Sequence, residues 1–342
     1  MNTFVLLQSF LKHGLRALFG SERLLFYSLA YIRVCRPRLV LTFIDNVPTF
    51  WRLRRNSNQE FRTAFVQNGR RFDVGDVFQG LVASDDYFVD HHFVFNEKMG
   101  ELFSNFVGGQ THVIGSLKSN ALQRKTIPNQ IPTIVFISGY EQVENSQQVI
   151  RVLDSGRSIS HFEYFKVDRW LVKEALRWCT KNGFQLLVAG RSTITNGEEC
   201  AWFEEILGSQ GSNWQFRPRE DLWSSYRLVD SALLTVNSDS TLGYESLARG
   251  NRTIFFSSRG SELESESSNF GWPAHNDQDG PFWTTSRDHG IFQSLANYVL
   301  TLTEDEWENL VNTEISNVLA TNQGNTKIKR ILNKILESYS EC

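Results

Sequence analysis

Between Thr133 and Phe256 the chain repeats one pattern: a short apolar run, a small or polar turn, then an amphipathic stretch. The runs are Thr133–Ser138, Phe184–Ala189, Trp214–Arg217, Ala232–Val236 and Thr253–Phe256. Runs this short, rich in β-branched and aromatic residues and separated by helical periodicity, predict buried parallel strands joined by helices. Helices are expected over 160–182, 197–208, 221–229 and 242–249, with Gly183 and Gly250 just past two of their ends. Such an order predicts a Rossmann-like domain, in which ligands bind beyond the carboxyl ends of the strands. The residues that directly follow each run are therefore the candidates for function.

A second, shorter series precedes it. Arg38–Ile44, Phe61–Gln67, Asp86–Val89 and Thr111–Ile114 read as strands, with a helix over 97–105. The 342 residues suit two domains of roughly 150 residues each. The expected organisation is an α/β fold of two Rossmann-like domains facing a cleft. A first α/β domain would cover 1–121, a linker 122–131, a second, Rossmann-like domain 132–300 and C-terminal helices 301–342. A long polar loop is expected over 258–290.

Composition narrows the function classes. Lys and Arg number 35 against 38 Asp and Glu, a net charge of −3, so nothing marks the whole chain as a binder of nucleic acid. Four scattered cysteines with no CxxC pair exclude a zinc ribbon and argue against a disulfide scaffold, so a reducing cytoplasm is the expected compartment. No stretch is long enough to span a bilayer. Residues 3–19 are amphipathic, with Lys12, His13 and Arg16 interrupting the apolar run rather than preceding it as in a secretory signal. They read either as a helix packed on its own domain or as one lying in a membrane interface.

The segment with most chemical content is VNSDSTLGYESLARGNRTIFFS, 236–257. A strand ends in a hydroxyl-rich turn that opens a helix. The unpaired N–H groups of a helix start favour anions. Ser238, Ser240 and Thr241 add donors beside Asp239, giving a phosphate cradle without a Walker lysine. Glu245, one turn deeper, is placed to accept the two hydroxyls of a ribose. The bland alternative is ordinary helix capping.

The pattern S-D-S-T-L-G-Y-E-x-L-A-R-G resembles the donor-site helix of GT-B glycosyltransferases, in particular the group acting in bacterial surface carbohydrate and capsule biosynthesis. RPRLVLTFIDNVPTFWRL…FRTAFVQNGRR (36–71), DYFV (86–89) and HVIGSLKSN (112–120) resemble the same group's acceptor domain. The usual first strand of that domain is not evident before residue 38. The resemblance implies a nucleotide-activated sugar as donor substrate, no tightly bound cofactor and no divalent metal. It also implies a glycan or lipid-linked acceptor; peripheral contact with the inner membrane surface is the corresponding reading of residues 3–19, and the expected compartment is the cytoplasm. Carried over by position, Ser138, Gly139 and Tyr140 form the first donor-domain loop, and Gly190 and Arg191 a second that neutralises a leaving phosphate. Arg217 and Arg219 flank Pro218 where the nucleobase is held.

For the acceptor side, Asp45, Asp86 and Asp90 are candidate bases, Asp45 first because it follows a strand directly. Its alternative role is a turn cap. Asn68 and Arg70 sit in a second cleft loop, where related polyol-phosphate transferases carry histidine in place of Asn68. His91 and His92 invite a metal reading, but adjacent strand residues point to opposite faces. Asp277-Gln278-Asp279 reads as a solvated loop, and 270–283 as a lid or a set of aromatic anchors. The expected activity is sugar transfer to a surface polysaccharide or glycolipid. The alternatives are transfer of a polyol phosphate from a CDP donor, a GT-B-type epimerase, and a non-catalytic nucleotide-sugar-binding module.

Overall fold

A computed structural model describes residues 2–58, 60–125, 131–193, 197–271, 279–315 and 318–338. The chain divides into two compact units, one of residues 1–69, 80–120 and 321–342, the other of 70–79 and 121–320.

The first unit is built on four parallel strands in sequential order, β1 (Leu39–Thr42), β2 (Arg62–Val66), β3 (Phe88–Val94) and β4 (Gly108–Val113). β3 is longer than expected and takes in Asp90, His91 and His92. Asp90 and His91 have local hydrogen-bond partners, and His92 is held by ring stacking. The Asp90 carboxylate accepts from Thr63 N and Thr63 Oγ1, both at 2.9 Å, and from Arg62 Nη1 at 2.8 Å. Burial works to raise its pKa, but these donors outweigh it and hold the carboxyl below the usual range. His92 stacks on Phe65 at 4.7 Å, while His91 Nδ1 lies 3.0 Å from His112 Nε2.

The C-terminal helix Thr326–Glu337 belongs to this unit. Its Ile328 packs among Ala64, Val66, Phe93 and Ile114. The helical segment expected over 301–342 is therefore divided. Helix Glu304–Ile315 stays with the second unit, where Trp307 Nε1 donates to Gly250 O at 3.2 Å.

The second unit holds six parallel strands: β5 (Thr133–Ile137), β8 (Gln185–Thr193), β9 (Trp214–Arg219), β10 (Leu234–Asn237), β11 (Thr253–Phe256) and β12 (Trp283–Thr284). Their order is β12-β11-β10-β5-β8-β9, the doubly wound order that reverses between β5 and β10. β5, β10 and β11 are buried at every position, as strands covered on both faces must be. The hairpin of β6 (Val149–Val152) and β7 (Ser158–Ser160) is antiparallel and was not foreseen; its turn is made by Gly156 at φ 84°.

The expected helix over 160–182 is two helices. His161–Tyr164 opens with a Ser160/Glu163 capping box, and Lys166–Asn182 buries Leu171, Ala175 and Trp178 before Gly183 ends it at φ 73°. At the junction the Tyr164 carbonyl accepts from Arg259 Nε at 3.1 Å.

Burial pushes His92 and His112 down to about 4, His112 with added repulsion from His91 and Lys327. Both stay neutral in the folded protein at pH values where the unfolded chain, with an ordinary value near 6.5, is protonated. Stability is therefore fully present above about 6.5 and lost as pH falls toward 4. The thermal midpoint is expected to fall over that range, with part of the slope removed in His112→Gln. A midpoint unchanged between pH 7 and 5 would contradict the assignment.

Candidate functional site

The reversal point of the second sheet brings two strand ends together. One is Ser138-Gly139-Tyr140 after β5. The other is Ser238-Asp239-Ser240 after β10, which leads into helix Thr241–Ala248. The β10 turn is built by its neighbours. Asn237 Oδ1 accepts from Ser240 N at 3.1 Å, and Ser240 Oγ caps the helix by accepting from Leu242 N at 3.3 Å. The Asn237 amide lies so close to Gly243 that a Cβ there would fall 2.4 Å from it, so only glycine fits.

Within this turn the four polar residues separate into two kinds. Ser238 and Asp239 are buried and committed to protein. Ser240 and Thr241 are half-buried and face outward. Ser238 Oγ donates to Asp168 Oδ1 at 3.2 Å, and the Asp239 carboxylate pairs with Arg259. They were expected as ligand donors, and the structure gives them a scaffold role.

Beneath the turn lies an ion cluster absent from the sequence reading. Arg259, 2% exposed, pairs with both Asp168 and Asp239, and its guanidinium lies 4.5 Å over the Tyr164 ring. Burial opposes the charge on Asp239, yet Arg259 and Arg70 together hold its carboxyl below the usual range. Burial pushes the Asp168 carboxyl up, against the pull of Arg259. A Cβ on Gly139 would lie 3.2 Å from Asp168 Oδ1, so the first loop packs directly on the cluster.

Arg70 was expected on the acceptor side and belongs instead to the second unit. Its N–H donates to Thr241 Oγ1 at 2.9 Å, and its guanidinium donates to the carbonyls of Asp239 at 3.3 Å and Asn269 at 3.2 Å. Asp45 and Asn68 do come together in the first unit, where Asp45 Oδ1 accepts from Asn68 N at 3.2 Å. Asp45 is fully buried rather than at an open edge, and its carbonyl accepts from Trp51 Nε1 at 2.9 Å. Asp86 is exposed and lies before β3 rather than opening it.

Gly190 and Arg191 lie in β8, not in a loop. The glycine marks a close approach rather than a turn, because a Cβ would fall 2.4 Å from the Phe216 ring. Arg191 is exposed, and its Nη1 donates to the carbonyls of Gly139 at 3.3 Å and Tyr140 at 3.2 Å, so it braces the first loop from β8. Arg217 and Arg219 likewise lie within β9. Arg217 donates to Gln215 Oε1 at 2.6 Å and, with Pro218, Ser224 and Leu228, lines a pocket of about 450 Å³. Glu245 is buried on helix Thr241–Ala248.

A second pocket, of about 570 Å³, opens beyond the ends of β11 and β12. Its wall is rich in hydroxyls, Ser257, Ser258, Ser261 and Thr285 among them, with Asn269, Glu264 and Glu266. Ser257 Oγ donates to the Ser238 carbonyl at 3.1 Å, joining this wall to the β10 turn. Ser258 is 4% exposed and its Oγ has no hydrogen-bond partner among the described residues. A buried hydroxyl in that state costs free energy unless something bonds to it. Among the described residues no group of three or more His, Cys, Asp or Glu is placed to hold a metal. Asp277-Gln278 and half of the expected lid, 272–278, lie outside the described residues.

The family model for "putative O-antigen biosynthesis protein" matches residues 64–336. The chain belongs to that family. Among solved structures it resembles the UDP complex of MnaA from S. aureus, with TM-score 0.55 and 13% identity over 98% of this chain and 83% of that one. It also resembles UDP-GlcNAc 2-epimerase from Methanocaldococcus jannaschii in complex with UDP-GlcNAc and UDP (TM-score 0.53, 11% identity, 92% and 81% covered). A third is the wall teichoic acid polymerase TagF (TM-score 0.52, 12% identity, 89% and 73% covered). At these identities the likeness establishes the fold, two Rossmann-like α/β units of the GT-B kind. No curated protein matches the chain.

Arg259→Gln leaves two buried carboxylates without their shared partner. It is expected to destabilise the second unit by about 3–5 kcal/mol, read by chemical denaturation. Adding Asp168→Asn and Asp239→Asn should recover much of that loss. A cost under about 1 kcal/mol for Arg259→Gln would show that the cluster does not hold the site together.

Proposed function

We propose that the chain is a metal-independent glycosyltransferase that moves a sugar from a nucleotide-activated donor to a growing surface polysaccharide or glycolipid. Three observations support the reading. The chain belongs to a family described by O-antigen biosynthesis. Its second unit has the doubly wound order whose reversal point is the usual nucleotide site. The hydroxyl-rich pocket beyond β11 and β12 joins the β10 turn and carries an unsatisfied buried serine. The last observation carries the most weight, because a polyhydroxylated group is what such a wall can bond.

In this reading Ser240 and Thr241 bind the donor phosphates through hydroxyl and backbone donors, and Arg191 adds the positive charge for the leaving group. Ser138, Gly139 and Tyr140 form the floor, Glu245 takes the ribose, and Arg217 serves the base. Glu264 and Glu266 at the sugar pocket disfavour a transferred phosphate, which sets a sugar above a polyol phosphate. On the first unit Asp45, beside Asn68, is the base that takes the acceptor proton. The reaction needs no tightly bound cofactor and takes place on the cytoplasmic side.

The test is consumption of UDP-, GDP-, dTDP- and CMP-sugars and of a CDP-polyol, with and without a lipid-linked glycan fraction. One nucleotide-sugar is expected to be consumed only with acceptor, and Ser240→Ala to lower kcat/KM by about 10–100-fold. Asp45→Asn should abolish turnover and spare donor affinity, whereas unchanged turnover would remove it as base. Consumption of the CDP-polyol, conversion of a sugar without acceptor, or no consumption at all would replace the reading with its respective alternative.

A further inference from the structure

The N-terminal helices of the first unit are placed unlike the rest of the chain. Helix Thr3–His13 buries only Val5 and Ser9, one turn apart, so a single narrow stripe holds it to the unit. Its ring contact is His13 stacked on Phe26 at 4.2 Å, in the helix Arg23–Cys35. At helical spacing Phe4, Leu7 and Leu11 fall on the side turned away from that stripe, and they are 56%, 52% and 69% exposed. Beyond the left-handed Gly14, Leu15 is 68% exposed, and Phe19, at the end of the short helix Arg16–Phe19, is 82% exposed. Most of the large apolar side chains left exposed among the described residues lie in the first 44 positions. A contiguous apolar surface of this kind marks an interaction site.

The charge pattern says what covers it. Residues 1–38 carry Lys12, Arg16, Arg23, Arg33, Arg36 and Arg38 against the single acid Glu22. The whole chain is net −3, so the rest of it, with 29 Lys and Arg against 37 Asp and Glu, is net acidic. A basic apolar layer on an otherwise acidic protein is attracted to a surface that is apolar beneath and anionic above. A second copy presenting the same layer would meet it with like charge. The helices, of 11 and 13 residues, are too short to cross a bilayer, and no described helix is long and apolar enough to do so.

We propose that residues 3–19 lie flat in the headgroup region of an anionic phospholipid bilayer. Phe4, Leu7, Leu11, Leu15 and Phe19 are inserted, and Lys12 and Arg16 stay at phosphate level. This attachment does not depend on the chemistry proposed for the second unit.

The test is sedimentation of the full chain with vesicles of phosphatidylcholine alone, or of phosphatidylcholine mixed equally with phosphatidylglycerol. Binding is expected only to the anionic vesicles and is weakened as salt rises from about 0.1 M to about 1 M. The pairs Leu11→Glu/Phe19→Glu and Lys12→Glu/Arg16→Glu should each cut the bound fraction on the order of tenfold or more. Their thermal midpoints should not move, because the side chains are exposed. Equal binding to both vesicles, or to neither, overturns the proposal. So does a dimer in the ultracentrifuge that Leu11→Glu/Phe19→Glu turns into monomer, which would make a second copy the occupant.

Discussion

One buried guanidinium organises the second unit. Arg259 joins Asp168 on the long helix, Asp239 on the β10 turn and the Tyr164 carbonyl at the helix junction, and Gly139 of the β5 loop packs against it. Four separate stretches of chain thus meet at one charge. Taking such groups out of water is costly, and the pairing offsets that cost only while every partner is present. The result is position: the turn that carries Ser240 and Thr241 is fixed from below, and each of these two half-buried hydroxyls accepts one backbone N–H, from Leu242 and Arg70, and keeps its own proton to donate. If this turn is the donor site, as proposed, it is preorganised, and its hydroxyl and N–H donors are fixed before ligand arrives.

The same cluster explains why the polar turn divides its labour. Ser238 and Asp239 are spent on the scaffold, and Arg70 on carbonyls and on Thr241 Oγ1. The only exposed cation that touches the first loop among the described residues is Arg191, reaching across from β8. In the proposed reading, positive charge for a leaving group comes from one side of the reversal point and hydroxyl donors from the other. The hydroxyl wall beyond β11 and β12 extends this polar edge by one strand.

Much of this was legible in the sequence, and the failures have physical reasons. Thr253–Phe256 was placed to the residue because a fully buried parallel strand is apolar at every position. The β10 turn was found by its hydroxyls and by the apolar run before it. Gly190 misled because glycine after a strand usually marks a turn, whereas here it makes room for Phe216. The longer β3 was missed because Asp90 and His92 look like loop residues until Thr63, Arg62 and Phe65 are seen beside them. Arg259 lay in a serine-rich stretch read as loop, and no local pattern links it to Asp168. Its one signal was its place just past a buried strand, the rule that had singled out Ser238 to Thr241. The C-terminal helix joins the first sheet through contacts that no local periodicity encodes.

The central claim is that a nucleotide binds at the reversal point between β5 and β10, on the outward hydroxyls of the β10 turn. Calorimetric titration of the full chain with UDP, GDP, dTDP, CMP and CDP tests it most directly. The account predicts that one of these binds, and that Ser240→Ala weakens it by roughly tenfold while an exposed control such as Lys181→Ala leaves it unchanged. Binding of none of them, or binding that Ser240→Ala does not alter, would contradict it.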